Sequence, residues 1–166
     1  MAMTLCAECA KPASTTAIMC PHCGAPAEIA LGGIKKGEPM PEFLESAVRA
    51  TSMWPEGEVA AEQWAAVEQV KLDEVEILDW DELFRGLARL PRLKMLGLSQ
   101  TGFNTLNSLQ GLQGLRYLYL EKNGITELMP LATLPELKQV WLYGNPIAPE
   151  EVTRLEAALP QCSVFF

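Results

Sequence analysis

Leu93-Lys94-Met95-Leu96-Gly97-Leu98, Leu115-Arg116-Tyr117-Leu118-Tyr119-Leu120 and Leu137-Lys138-Gln139-Val140-Trp141-Leu142 are three copies of one pattern, each 22 residues after the last. Positions between them keep the same step: Phe103, Ile125 and Ile147; Leu106 and Leu128; Leu109 and Leu131; Leu112 and Leu134. Self-similarity at a fixed period of this length marks a stacked solenoid. One such unit cannot bury its own apolar side, whereas stacked units share a continuous core.

Within a unit the alternation at Leu118 and Leu120 is that of a short strand. Asn123 and Asn145 stand three residues after the last strand leucine, where a short amide side chain can bond backbone groups as the chain turns out of the strand. The spacing of three in Leu128, Leu131, Leu134 and Leu137 suits a tight helical turn with one eclipsed apolar row. A leucine-rich amphipathic helix would instead repeat at 3.6 residues and carry no fixed asparagine.

The pattern Leu-x-x-Leu-x-Leu-x-x-Asn-x-Ile-x-x-Leu resembles the leucine-rich repeat family in its short 22-residue class, with Val140 replacing one leucine. In the first clear unit Thr101 takes the Asn place and Phe103 the Ile place. The resemblance implies an α/β fold, a short solenoid of strand, turn and helical return that needs a cap at each end.

The chain has 166 residues, 49% of them hydrophobic, which is room for one ordinary domain and a small one. Its formal charge of −8 is uneven. Residues 41–82 hold twelve acidic residues against Arg49 and Lys71, whereas residues 83–166 hold six acidic against eight basic. The acidic middle argues against nucleic acid or an anionic membrane as the main partner. No apolar run has membrane-spanning length. The opening residues lack the basic and apolar regions of a secretory signal, so a reducing cytoplasm is expected.

Residues 1–30 are expected to form a zinc ribbon. Cys6, Cys9, Cys20 and Cys23 form C-x2-C-x10-C-x2-C. Two thiolates two residues apart can reach one ion from a tight turn, and two such turns supply a closed tetrahedral site. Cys20-Pro21-His22-Cys23-Gly24 resembles a zinc-ribbon knuckle; in the first turn Ala10 stands where such knuckles often carry Gly. Two disulfides would be the alternative in an oxidising compartment. His22, the only histidine, is an exposed spacer in this reading, since four thiolates fill the shell. The ion supplies much of the folding energy of so small a unit.

Residues 31–40, rich in Gly and closing on Pro39, read as a linker. Residues 41–71 read as a helical N-terminal cap. Pro41 opens a short helix with Phe43, Leu44, Ala47 and Val48 on one face, and a longer helix runs from Ser52, as N-cap, to Lys71. That longer helix is expected to cover the apolar end of the solenoid. Residues 72–166 are then repeats plus a C-terminal cap. Leu72, Val75 and Ile77 read as a degenerate strand 21 residues before Leu93, with Leu83, Leu87 and Leu90 as its return. Trp54, Trp64 and Trp80 are assigned to packing. Pro149 and two acids open a final helix, and Cys162, Val164 and Phe166 alternate as a last strand. Cys162 is a buried small apolar residue in this reading.

No catalytic constellation is present: there is no Gly-rich phosphate loop, and no Ser-His or Cys-His pair is available beside the metal-binding cysteines. A non-enzymatic module is expected. The strand positions pointing away from the core are more informative. They gather Tyr117, Tyr119, Trp141 and Tyr143 on one face, the concave one in the family resembled. Contiguous exposed aromatics mark binding surfaces, so this patch either takes a protein or peptide partner or is covered by the chain's own N-terminal part. The rival reading is a nucleic-acid-associated factor that contacts its target through the zinc ribbon; residues 1–40, with three basic and three acidic residues, give it little support. The sequence leaves the oligomeric state open.

Overall fold

In the computed structural model the described residues are 3–5, 12–14 and 39–166. The chain divides into two compact units, Met1–Met40 and Pro41–Phe166. The first contains an antiparallel hairpin of β1 (Met3–Leu5) and β2 (Pro12–Ser14), with Leu5 opposite Pro12. Cys6, Cys9, Cys20 and Cys23, the expected zinc ligands, lie outside the described residues, as does His22.

The second unit is built on a parallel sheet of β3 (Gln69–Lys71), β4 (Met95–Gly97), β5 (Tyr117–Tyr119), β6 (Gln139–Trp141) and β7 (Ser163–Phe165), paired in chain order. Val70, Leu96, Leu118, Val140 and Val164 stand in register across it. Leu93, Leu96, Leu98, Leu115, Leu118, Leu120, Leu137, Val140 and Leu142 are all buried, so the periodic leucines are the core. Two returns are 3-10 helices, Leu106–Gly111 and Met129–Thr133. The leucine spacing of three predicts that geometry, because side chains three apart eclipse in a 3-10 turn.

The first unit departs from the others. The sequence predicts a helix from Ser52 to Lys71, but the helix before it stops there and two elements, a short helix and a strand, take its place. Helix α1 (Glu42–Ser52) ends at Met53, which adopts a left-handed conformation at φ 55°. Pro55 follows two residues later; a proline disfavours helical backbone in the residue before it, so here it ends one helix rather than opening another. Arg49 binds the Glu45 carboxylate at 2.6 Å and donates to the Pro55 and Gly57 carbonyls, each at 2.5 Å, tying the segment after the helix back onto it. A short helix α2 (Ala61–Ala65) buries none of its residues, and Trp64 packs edge-on against Trp54 at 5.6 Å. Then Gln69–Lys71 is a strand.

The strand register also differs from expectation. Val70 pairs with Leu96, so the offset is 26 residues rather than the 21 that separate Leu72 from Leu93. The strand therefore ends just before Leu72 and lies inside the region read as helical. The extra length is taken up by a full α-helix, α3 (Trp80–Leu87), in the place where later units have 3-10 turns. Asp79 caps it by accepting the Glu82 amide at 2.8 Å. Leu83, Leu87 and Leu90 are buried, as the reading of this return predicts.

Covering the end of the core falls to α1, not to the expected longer helix. Leu44 and Val48 are fully buried, and the helix lies against β3. A Cβ added to Gly86 of α3 would stand 2.6 Å from Leu44 Cδ2, so the absence of a side chain lets the two helices close. At the other end α4 (Pro149–Ala158) buries Val152 and Leu155. Glu151 accepts the Leu128 amide at 3.2 Å; that bond, aided by Arg154, holds its carboxyl below the usual range. Among the described residues no helix is long and apolar enough to cross a membrane.

Candidate binding face

Each unit leaves its strand through the same backbone device. Glu74, Gln100, Lys122 and Gly144 occupy equivalent places and all have positive φ, at 63°, 57°, 52° and 76°. Three of the four are not glycine, and left-handed backbone costs an ordinary residue about 1–2 kcal/mol. The turn is held across units: the Glu74 amide donates to Ser99 O at 2.8 Å, Gln100 to Glu121 O at 2.9 Å and Lys122 to Tyr143 O at 2.7 Å.

Asparagines complete these turns. Asn123 Oδ1 accepts the amides of Thr101, Gly102 and Phe103 at 3.1, 3.0 and 3.1 Å, while its Nδ2 donates to the Leu98 and Leu120 carbonyls at 2.9 and 3.0 Å. Asn145 repeats the arrangement one unit on, accepting from Asn123 and Ile125. Thr101 is too short for this: its hydroxyl donates to Leu98 O at 2.7 Å, within its own unit. Asp73 bridges the first two units instead, accepting the Ser99 amide at 2.8 Å.

These turns hold the strands in strict register, and the register sets the outward side chains in columns. Lys71, Gly97, Tyr119, Trp141 and Phe165 form one, and Gln69, Met95, Tyr117, Gln139 and Ser163 its neighbour. Parallel strands run about 4.8 Å apart, close to the separation of stacked rings. Tyr119 and Trp141 stack with centroids 4.2 Å apart and planes 6° apart; Trp141 and Phe165 follow at 5.2 Å and 13°.

Of the four residues singled out from the sequence, Tyr119 and Trp141 are thus brought into one stack. Tyr117 stands beside it in the next column and lines a hollow of about 580 Å³ with Glu136, Lys138 and Gln161. Tyr143, 50% exposed, lines a separate cleft of about 470 Å³ with Tyr119, Asp73 and Glu121. Phe165 was missed. The alternation of Cys162, Val164 and Phe166 does place it on the opposite side of the strand, but only pairing with β6 puts that side in line with Trp141.

Charge is segregated along the strands. At their N-terminal ends Lys94 pairs with Glu68 at 2.6 Å and Arg116 with Glu136 at 3.2 Å. The Lys94 hydrogen bond holds the Glu68 carboxyl below the usual range. At the C-terminal ends the cleft carries Asp73, Glu74 and Glu121 against Lys122. Among the described residues no group of three or more His, Cys, Asp or Glu side chains is placed to hold a metal ion.

No protein-family model and no curated protein matches this chain. Solved structures do. A leucine-rich-repeat protein of Leptospira interrogans is 26% identical at a TM-score of 0.50, covering 66% of this chain and 28% of its own. An internalin of Listeria monocytogenes is 19% identical at 0.55, over 75% of this chain and 36% of its own. An internalin C2 of the same organism is 17% identical at 0.53, over 75% and 62%. The chain thus spans less than two thirds of the length of each. The architecture is a leucine-rich-repeat fold.

Proposed function

We propose that this chain is a non-enzymatic binding module that takes a protein or peptide partner on the aromatic face of its repeat sheet. The observation that carries this reading is the stack of Tyr119, Trp141 and Phe165 across three adjacent strands, flanked by Tyr117 and Tyr143. Rings held by strand register are already ordered, so a partner that covers them loses little conformational entropy on the receptor side. Tyr and Trp in that position supply the area and polar handle typical of hot spots.

As part of the same reading, Cys6, Cys9, Cys20 and Cys23 hold one structural zinc in a reducing cytoplasm. Four thiolates are the donor set of a closed tetrahedral site, which stabilises a fold rather than activating water.

The test is quantitative binding to a captured partner by the full chain and by Tyr143→Ala, a half-exposed ring outside the stack. A loss of about 2 kcal/mol of binding, roughly 30-fold, is expected at unchanged stability. Equal binding by wild type, Tyr143→Ala and Tyr117→Ala would remove the aromatic face from the interface.

A further inference from the structure

The column of rings stops abruptly. Phe165, Trp141 and Tyr119 succeed one another, and the next place belongs to Gly97, which has no side chain. The gap is occupied from elsewhere: a Cβ added to Gly97 would stand 2.8 Å from both carboxylate oxygens of Asp73. Asp73 is held there by the Ser99 amide. Glu121 is held alongside, its Oε2 accepting the Ser99 hydroxyl at 2.5 Å. The last flat ring of the stack therefore ends beside two carboxylates anchored through a single serine, on the wall of the 470 Å³ cleft.

We infer that this end of the stack receives an arginine side chain from the bound protein segment. The inference rests on the proposal that the aromatic face binds a protein, and names the chemistry it selects. A guanidinium is flat and cationic: its plane stacks on a ring while its edge donates in pairs to carboxylates. Tyr119 supplies the ring, and Asp73 and Glu121 the acceptors, since each carboxylate has bonding capacity left beyond its contact with Ser99. A lysine ammonium matches the charge but cannot stack. A neutral aromatic stacks but leaves the carboxylates unanswered. A phosphate group meets Asp73, Glu74 and Glu121, which outnumber Lys71 and Lys122 on this part of the face. Gly97 leaves the room in which the Asp73 carboxylate sits, because any larger residue would collide with it.

The probes are extended Gly/Ser peptides carrying two arginines, or two lysines or two citrullines at the same places, titrated to millimolar concentration into the full chain at about 0.15 M salt and followed by NMR. The arginine peptide is expected to bind about tenfold more tightly than either of the others and to shift Ser99 and Tyr119 signals. Asp73→Asn keeps an acceptor for the Ser99 amide and removes the charge, and should abolish that preference; Tyr119→Leu should do the same by removing the platform. Equal binding of arginine and lysine peptides, no binding of the arginine peptide, or an arginine preference that survives Asp73→Asn would overturn the inference. So would a single-stranded oligonucleotide competing at the same residues. These results are separable from failure of the binding face itself: a protein partner that needs Tyr143 yet ignores Asp73→Asn sinks the arginine site alone.

Discussion

The ring of Trp141 lies 4.2 Å from that of Tyr119 and 5.2 Å from that of Phe165, so it is packed on both faces while its edge remains in solvent. It is therefore a structural residue as well as a surface one. Each stacking contact contributes about 0.5–1.5 kcal/mol beyond simple burial, so Trp141→Ala should destabilise the repeats by about 2 kcal/mol, and Trp141→Phe by less than half of that. Denaturant midpoints at constant m-value would show it. A near-wild-type midpoint for the alanine variant would mean the rings do not stack in solution.

Asn123 is the most heavily bonded side chain of the core. Its removal leaves the amides of Thr101, Gly102 and Phe103 without their acceptor, while the Leu98 and Leu120 carbonyls keep bonds from the Thr101 hydroxyl and Asn145 Nδ2. Asn123→Ala is expected to cost about 3 kcal/mol or more, since each unmet buried group costs about 1–3 kcal/mol before solvent rearranges. Thr101→Ala, which loses the bond to Leu98 O within its own unit and a long 3.5 Å contact with Asn123 Oδ1, should cost about 1 kcal/mol. Equal losses for the two would show that the inter-unit bonds contribute nothing.

Left-handed backbone at Gln100 opens a route to stabilisation. Gln100→Gly relieves the steric cost of φ 57°, set against a more entropic unfolded chain and the loss of the exposed Gln100 Nε2–Glu74 bond, for a net gain of about 0.5–1 kcal/mol. The mirror test is Gly144→Ala: besides its φ of 76°, the new Cβ would meet Lys122 Cγ at 3.0 Å, and a loss of about 1 kcal/mol or more is expected. Thermal melts of both variants decide the matter, and a stabilised Gly144→Ala would contradict the turn geometry.

Burial pushes the Cys162 thiol up to about 11. Its folded pKa lies above the unfolded value, so the thiol form contributes stability that is complete below about pH 8.5 and is lost as pH rises toward 11. A thiol reagent at neutral pH should leave Cys162 unmodified in the folded chain. Adding a strong chelator should then release four reactive thiols of the five while the far-UV signal of the repeats persists. Four thiols reacting before chelation would argue against the zinc site; the fifth reacting together with them would show that the repeats depend on the ribbon.

The repeats were legible because their signal is local and periodic. Leu118, Asn123 and Leu131 recur at fixed spacing, and a period of 22 residues with those identities admits one stacking. The aromatic column was legible for the same reason: once Leu118 and Val140 point inward, Tyr119 and Trp141 must point outward together. What the sequence could not determine lies where the period fails. Val67, Val70 and Leu72 bear the same relation to Leu93, Leu96 and Leu98 as later units do, but 26 residues earlier, because α3 is longer than a 3-10 turn. A helical pattern fits Val67 and Val70 equally well when their pairing partner is unknown. Pairing is a non-local interaction, and only the hydrogen bonds of β3 to β4 choose the strand. Phe165 joins the stack, and Asp73 reaches the place vacated by Gly97, for the same reason. Both depend on which strand lies alongside, which no spacing within either segment encodes.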